Sequence, residues 1–183
     1  MNRFVLALCV SFAVVCVGLA QPPTEPDGGS KEQHWLKQFV GEWEMKSQAT
    51  MAPGQPPVQC QGMLTGRMLG ELWLINEMKS DVQGTVVNGV QMIGYDPVKK
   101  KYVGTWVDSM VNHLWHYEGT VDEAGKTLTL ETKGPDFMAE GKMTTFKDVY
   151  EFKSADEILA TSLMLGEDGQ WIPFMTGTSR RKP

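Results

Sequence analysis

The stretch Gly94–Met110, GYDPVKKKYVGTWVDSM, decides the fold. Asp96-Pro97 suits the first two positions of a turn, because the proline ring fixes φ and the aspartate side chain bonds nearby backbone amides. Lys99, Lys100 and Lys101 then fall at a hairpin corner in solvent. Beyond the corner, Tyr102, Gly104, Trp106 and Asp108 share one face of a strand, while Val103, Thr105, Val107 and Ser109 share the other. In an acidic chain, three lysines at such a corner read as a solubilising feature rather than a ligand site.

The same period of two runs outward in both directions. It predicts strands over 42–50, 58–66, 71–80, 87–95, 101–109, 112–121, 126–133, 144–153, 157–165 and 171–179. Turn formers separate them, among them Pro53-Gly54, Gly84, Asp122–Gly125, Gly134-Pro135 and Gly166–Gly169. Strands this closely spaced, with no helix between them, make an antiparallel meander, and closure removes its exposed edges. The expected fold is therefore all-β: a closed or nearly closed barrel of about ten strands behind a short N-terminal helix. Ser30 and Gln33 form a capping box for that helix, and Trp35, Leu36 and Phe39 lie on one side of it. Pro173 cannot donate to a strand ladder, so a local break is expected in the last strand.

Ahead of the barrel, Arg3 precedes a mostly apolar run from Phe4 to Ala20, and Gly18 and Ala20 occupy small-residue positions before Gln21. These features predict a secretory signal peptide over 1–20, cut before Gln21. The run is shorter than the ~20 residues that span a bilayer, and no basic stop-transfer cluster follows it. Residues 21–29, QPPTEPDGG, read as a flexible leader, and 30–183 as a single domain. The expectation is an exported protein, periplasmic or secreted, with no membrane association after cleavage. Without residues 1–20 only Cys60 remains of the cysteines, so the fold must hold by packing and not by an intramolecular disulfide. Removing Arg3 leaves 16 basic against 22 acidic side chains, a formal charge of −6. Nucleic-acid binding rests on neutralising phosphates, so that class is excluded. The mild negative charge suits a monomer or weak homodimer.

At this point the residues resemble a known family. The opening stretch, preceded by GELWLINEMKSD and followed by GTVDEAGKTLTLETKG, is similar to a bacterial family catalogued as domain of unknown function 1579. The similarity covers about Trp35 to Lys182. It implies a calycin-like β-barrel and an exported protein, and supplies no catalytic or ligand-binding residues. The wider calycin pattern of lipocalins also appears: Gly41-Glu42-Trp43 follows the helix, and Arg180-Arg181 follow the last strand. That pattern implies an indole plugging one barrel end beneath a cationic side chain, a structural role.

Barrels of this size can hold one small ligand among their interior side chains. Alternation puts Leu72, Leu74, Asn76 and Met78 on one face of their strand. His113, Trp115 and Tyr117 align on another, and Phe146, Asp148, Tyr150 and Phe152 on a third. The cavity candidates are Asn76, Trp106, Asp108, His113, Trp115, Tyr117, Asp148 and Tyr150. Aromatic walls supply contact area and a few polar groups fix orientation. Asp148 is the most informative, because a carboxylate on an apolar face is expensive unless it is bonded. Its expected partners are a nearby Tyr, Arg or backbone donor, with Arg67 a candidate for either Asp108 or Asp148.

Metal and cofactor sites find no support. His113 and His116 are three apart on a predicted strand and point to opposite faces, and His34 lies in the helix. No histidine follows residue 116, so the haem ligand of a related barrel family has no counterpart. The methionines are scattered, which suits flexible core filling better than copper ligation. No nucleophile elbow, phosphate loop or Cys-His pairing is present, so no catalytic residue is assigned. Three readings result. The first is a barrel binding a small apolar or amphipathic molecule. The second is an enzyme using Asp108, His113 and Asp148 in the cavity. The third is a packed structural or interaction module.

Overall fold

A computed structural model describes residues 29–50, 55–137, 139 and 141–183. The predicted signal peptide and nearly all of the leader lie outside the described residues. The chain forms a short helix α1 (Lys31–Leu36), a 3-10 turn (Lys37–Phe39) and ten strands. These are β1 (Gly41–Ala49), β2 (Val58–Leu69), β3 (Trp73–Val82), β4 (Thr85–Asp96) and β5 (Lys101–Asp108). They continue as β6 (Trp115–Val121), β7 (Thr127–Pro135), β8 (Met143–Ser154), β9 (Glu157–Leu165) and β10 (Trp171–Arg181). Each strand pairs antiparallel with the next, and β10 returns to β1, closing the barrel.

Strand alternation divides inside from outside. On β7, Leu128, Leu130, Thr132 and Gly134 are buried, while Glu131 and Lys133 are exposed. The hairpin corner before β5 folds as its sequence requires, with Asp96 Oδ1 accepting the backbone N–H groups of Val98 and Lys99. Lys99 and Lys101 are exposed there and both grip Glu118 of the neighbouring strand β6. In β10 the pairing with β9 slips between Pro173 and Met175, the break that the missing proline donor demands.

One end of the barrel is plugged. The capping box forms as expected, Gln33 N donating to Ser30 Oγ and Ser30 N donating to Gln33 Oε1. The helix seats Leu36 and Phe39 among Leu74, Ile93, Leu128, Leu130 and Ile158, all of them fully or almost fully buried. Each fully buried side chain of this size contributes roughly 1.5–3 kcal/mol. Trp35 packs edge-on against Phe39, Tyr102 and Phe152, and its Nε1 donates to Gly125 O. Tyr102 Oη donates to Glu32 O, tying the plug to β5.

Trp43 and Arg181 close the same end. Trp43 is wholly buried and donates to Phe39 O, while the Arg181 guanidinium lies 4.1 Å over its ring. Arg181 also donates to Val40 O, Gln38 O and Ala155 O. Gly41, at φ +123°, lets the chain turn from the plug into β1, and a Cβ there would meet Arg181 Nη1 at 2.7 Å. Arg180 points outward to Glu157.

Two expectations fail. The strand predicted over 112–121 begins only at Trp115, because Asp108 Oδ1 takes the N–H groups of Met110 and Val111 and bends residues 109–114 into a loop. His113 is therefore on a loop and not in line with Trp115 and Tyr117. Leu72 is exposed in the turn before β3, so it is not on the inward face with Leu74.

Candidate functional site

Above the plug, the barrel interior carries a belt of polar groups. Asn76 of β3 and Gln91 of β4 are register partners, and Asn76 Nδ2 donates to Gln91 Oε1 at 3.1 Å. Gln91 Nε2 in turn donates to Tyr150 Oη at 3.0 Å. Beside this chain, Tyr117 Oη donates to Asp148 Oδ2 and Ser162 Oγ donates to Asp148 Oδ1, both at 2.5 Å. Asn76, Gln91, Tyr117 and Ser162 are buried.

Asp148 and Tyr150 alternate with Val149 on β8 and are half-buried. Burial pushes the Asp148 carboxyl above the ordinary aspartate range, outweighing the two hydrogen bonds that favour its ionised form. Burial, and then the nearby carboxylate, push the Tyr117 and Tyr150 phenols upward as well. Arg67 bonds neither Asp108 nor Asp148. It lies on the outer face of β2, 3.9 Å from Glu77, because its neighbours Gly66 and Met68 take the inward positions.

Toward the end opposite the plug, the interior becomes aromatic. Trp106 and Trp115 are register partners, with Trp106 lying on Gly89 and Trp115 on Gly134, where a Cβ would overlap either ring. Trp115 packs edge-on against Phe146, which also meets Phe137 and Phe174. Trp115 Nε1 and Thr132 Oγ1 are buried there without a hydrogen-bond partner, as is Asn76 Oδ1 in the belt.

The remaining candidates serve the rim. Asp108 Oδ2 accepts the Trp106 indole N–H at 2.9 Å while its other oxygen holds the loop. The His113 ring lies edge-on 4.8 Å from Trp115, with Nε2 3.2 Å from Lys133 O. Asp108, His113 and Asp148 thus hold separate partners and form no mutual hydrogen bond. Residues 107–114 border a cleft of about 450 Å³ open to solvent, and a second of about 310 Å³ lies at Lys46, Cys60 and Asp81. Neither cleft is lined by Asp148.

Gln91, Ser162 and Thr132 belong to this interior, and the sequence reading did not name them. Gln91 carried a signal, being a lone amide among Val87, Gly89 and Ile93 on an inward face. Ser162 and Thr132 carried almost none, since hydroxyl residues also populate the outer faces. Among the described residues no His, Cys, Asp and Glu cluster could hold a metal ion, and no helix is long and apolar enough to cross a membrane.

The barrel is similar in fold to an S-type phycobiliprotein lyase, CPES, from Guillardia theta. That match has a TM-score of 0.57 and 11% identity, covering 84% of this chain and 94% of that one. It is also similar to Rv2717c from M. tuberculosis, with a TM-score of 0.64 and 13% identity over 84% of this chain and 99% of that one. Comparison with curated proteins gives no match. The sequence itself matches one family profile, described as protein of unknown function, DUF1579, over residues 29–181. The match takes in the plug, all ten strands and the interior belt, and this chain belongs to the DUF1579 family.

Proposed function

We propose that this protein is an exported carrier that binds a small amphipathic molecule inside its barrel. The apolar part would lie among Trp106, Trp115 and Phe146, and the polar end would reach the belt around Asp148. One observation carries the reading: a carboxylate kept inside the barrel with two hydroxyl donors and surface left over beside them. A packed structural module would gain from an apolar residue at that position, since burying a carboxyl costs free energy that two hydrogen bonds only partly recover. Export rests on the N-terminal sequence alone.

Native mass spectrometry of the protein purified from its own source tests the proposal. The expected result is a reproducible added mass, lost on denaturation, together with a thermal shift from members of an amphiphile panel. Unliganded protein in repeated preparations, with no shift from any amphiphile, would overturn it.

A further inference from the structure

Building on that reading, we infer that the polar end of the ligand is a cation, an amine or amidine, seated against Asp148 between Tyr117 and Tyr150. Asp148 uses one lone pair of each oxygen for Tyr117 and Ser162, which leaves acceptor capacity on both oxygens. The titratable groups bearing on this corner are Asp148, Asp108, Tyr117 and Tyr150. All are acidic, and among the described residues no lysine, arginine or histidine bonds or pairs with Asp148.

Lys46, Lys79 and Lys133 are exposed on their strands, and other basic side chains of the wall pair on its surface. Lys147 reaches Glu131 and the Trp171 ring, Arg67 reaches Glu77, and Arg181 is spent on the plug. A fatty-acid carboxylate entering this interior would meet no positive group and would face Asp148 and Asp108. An ammonium would meet an unpaired carboxylate and aromatic rings, which attract cations most strongly where water is excluded.

The test compares hexylammonium, hexanol and hexanoate by calorimetry on the full chain at neutral pH. The expected result is hexylammonium binding about tenfold more tightly than hexanol, with hexanoate weakest. Asp148→Asn should remove the preference for the amine over hexanol. The variant is nearly isosteric, but the comparison on the wild-type protein decides the matter without it. Hexanol or hexanoate binding as tightly as the amine would overturn the cation assignment and leave the carrier reading standing. No heat from any of the three, with no thermal shift, would remove both.

Discussion

Tyr117 on β6 and Asp148 on β8 are joined by a 2.5 Å hydrogen bond that passes over the intervening strand β7. Ser162, the register partner of Asp148 on β9, bonds the other carboxylate oxygen. Three strands of the wall thus meet on one interior acid, and its protonation is linked to stability.

Because burial raises the Asp148 pKa in the folded state, the folded protein holds this proton more tightly than the unfolded chain does. The stability it confers as a neutral acid is fully present below the ordinary aspartate value of 3.8 and is lost as pH rises through the raised value. Asp148→Asn keeps the shape and cannot ionise. It should therefore raise the melting temperature near pH 7, with an advantage that shrinks toward pH 4. Calorimetric scans of both proteins across this range measure the difference. An advantage that does not change with pH would assign the effect to packing.

Arg181 and Arg180 are adjacent in sequence and opposite in consequence. Arg181 covers Trp43 and donates to three backbone carbonyls, whereas Arg180 meets only Glu157 on the outer surface. Arg181→Ala should cost about 2–3 kcal/mol, because it removes the cation over the ring and strands carbonyls at the plug. Arg180→Ala should stay within about 0.5 kcal/mol. Urea unfolding of the two variants separates the roles, and equal losses would contradict the closure assigned to Arg181.

Gly134 is the seat of Trp115, whose ring carbon would lie 2.0 Å from a Cβ at that position. The ring also packs edge-on against Phe146 and His113, so it cannot shift freely. Gly134→Ala should cost about 1–3 kcal/mol by overpacking and should change the tryptophan emission. Gly125→Ala, where nothing lies within 4 Å of a Cβ, controls for loss of glycine flexibility, although its φ of +69° brings backbone strain of its own. Unchanged emission in Gly134→Ala would mean that the indole does not rest on the glycine.

Most of the barrel was legible because period two is a one-dimensional property: a strand with one wet and one dry side writes its orientation into every second residue. The inward placing of Trp106, Tyr117, Asp148 and Tyr150 followed from it directly. The proline break in β10 and the Trp43–Arg181 closure were likewise readable, from one residue's missing donor and from one motif. What alternation cannot convey is which inward residues meet across the enclosed space. Arg67 looked a plausible partner for an interior acid, yet its strand parity points it outward. Tyr117 and Ser162 reach Asp148 from strands on either side of β8, a meeting fixed by register and barrel stagger and not by local pattern. His113 was misplaced because Asp108, read as a cavity acid, instead holds the loop that carries it.

Gln91 stands between two partners, accepting from Asn76 and donating to Tyr150. Gln91→Leu would leave Asn76 Nδ2 without an acceptor beside an Oδ1 that already lacks a partner, and would take the donor from Tyr150. Buried groups left without their bonds cost about 1–3 kcal/mol each, so the single change should lose about 2–4 kcal/mol. Adding Asn76→Leu removes the orphaned amide altogether. The double variant should therefore be less destabilised than the sum of the two singles, by about 1–2 kcal/mol. Urea unfolding of the wild type, both singles and the double completes the cycle. Losses that add to within about 0.5 kcal/mol would mean that the two amides do not act as one hydrogen-bonded unit inside the barrel.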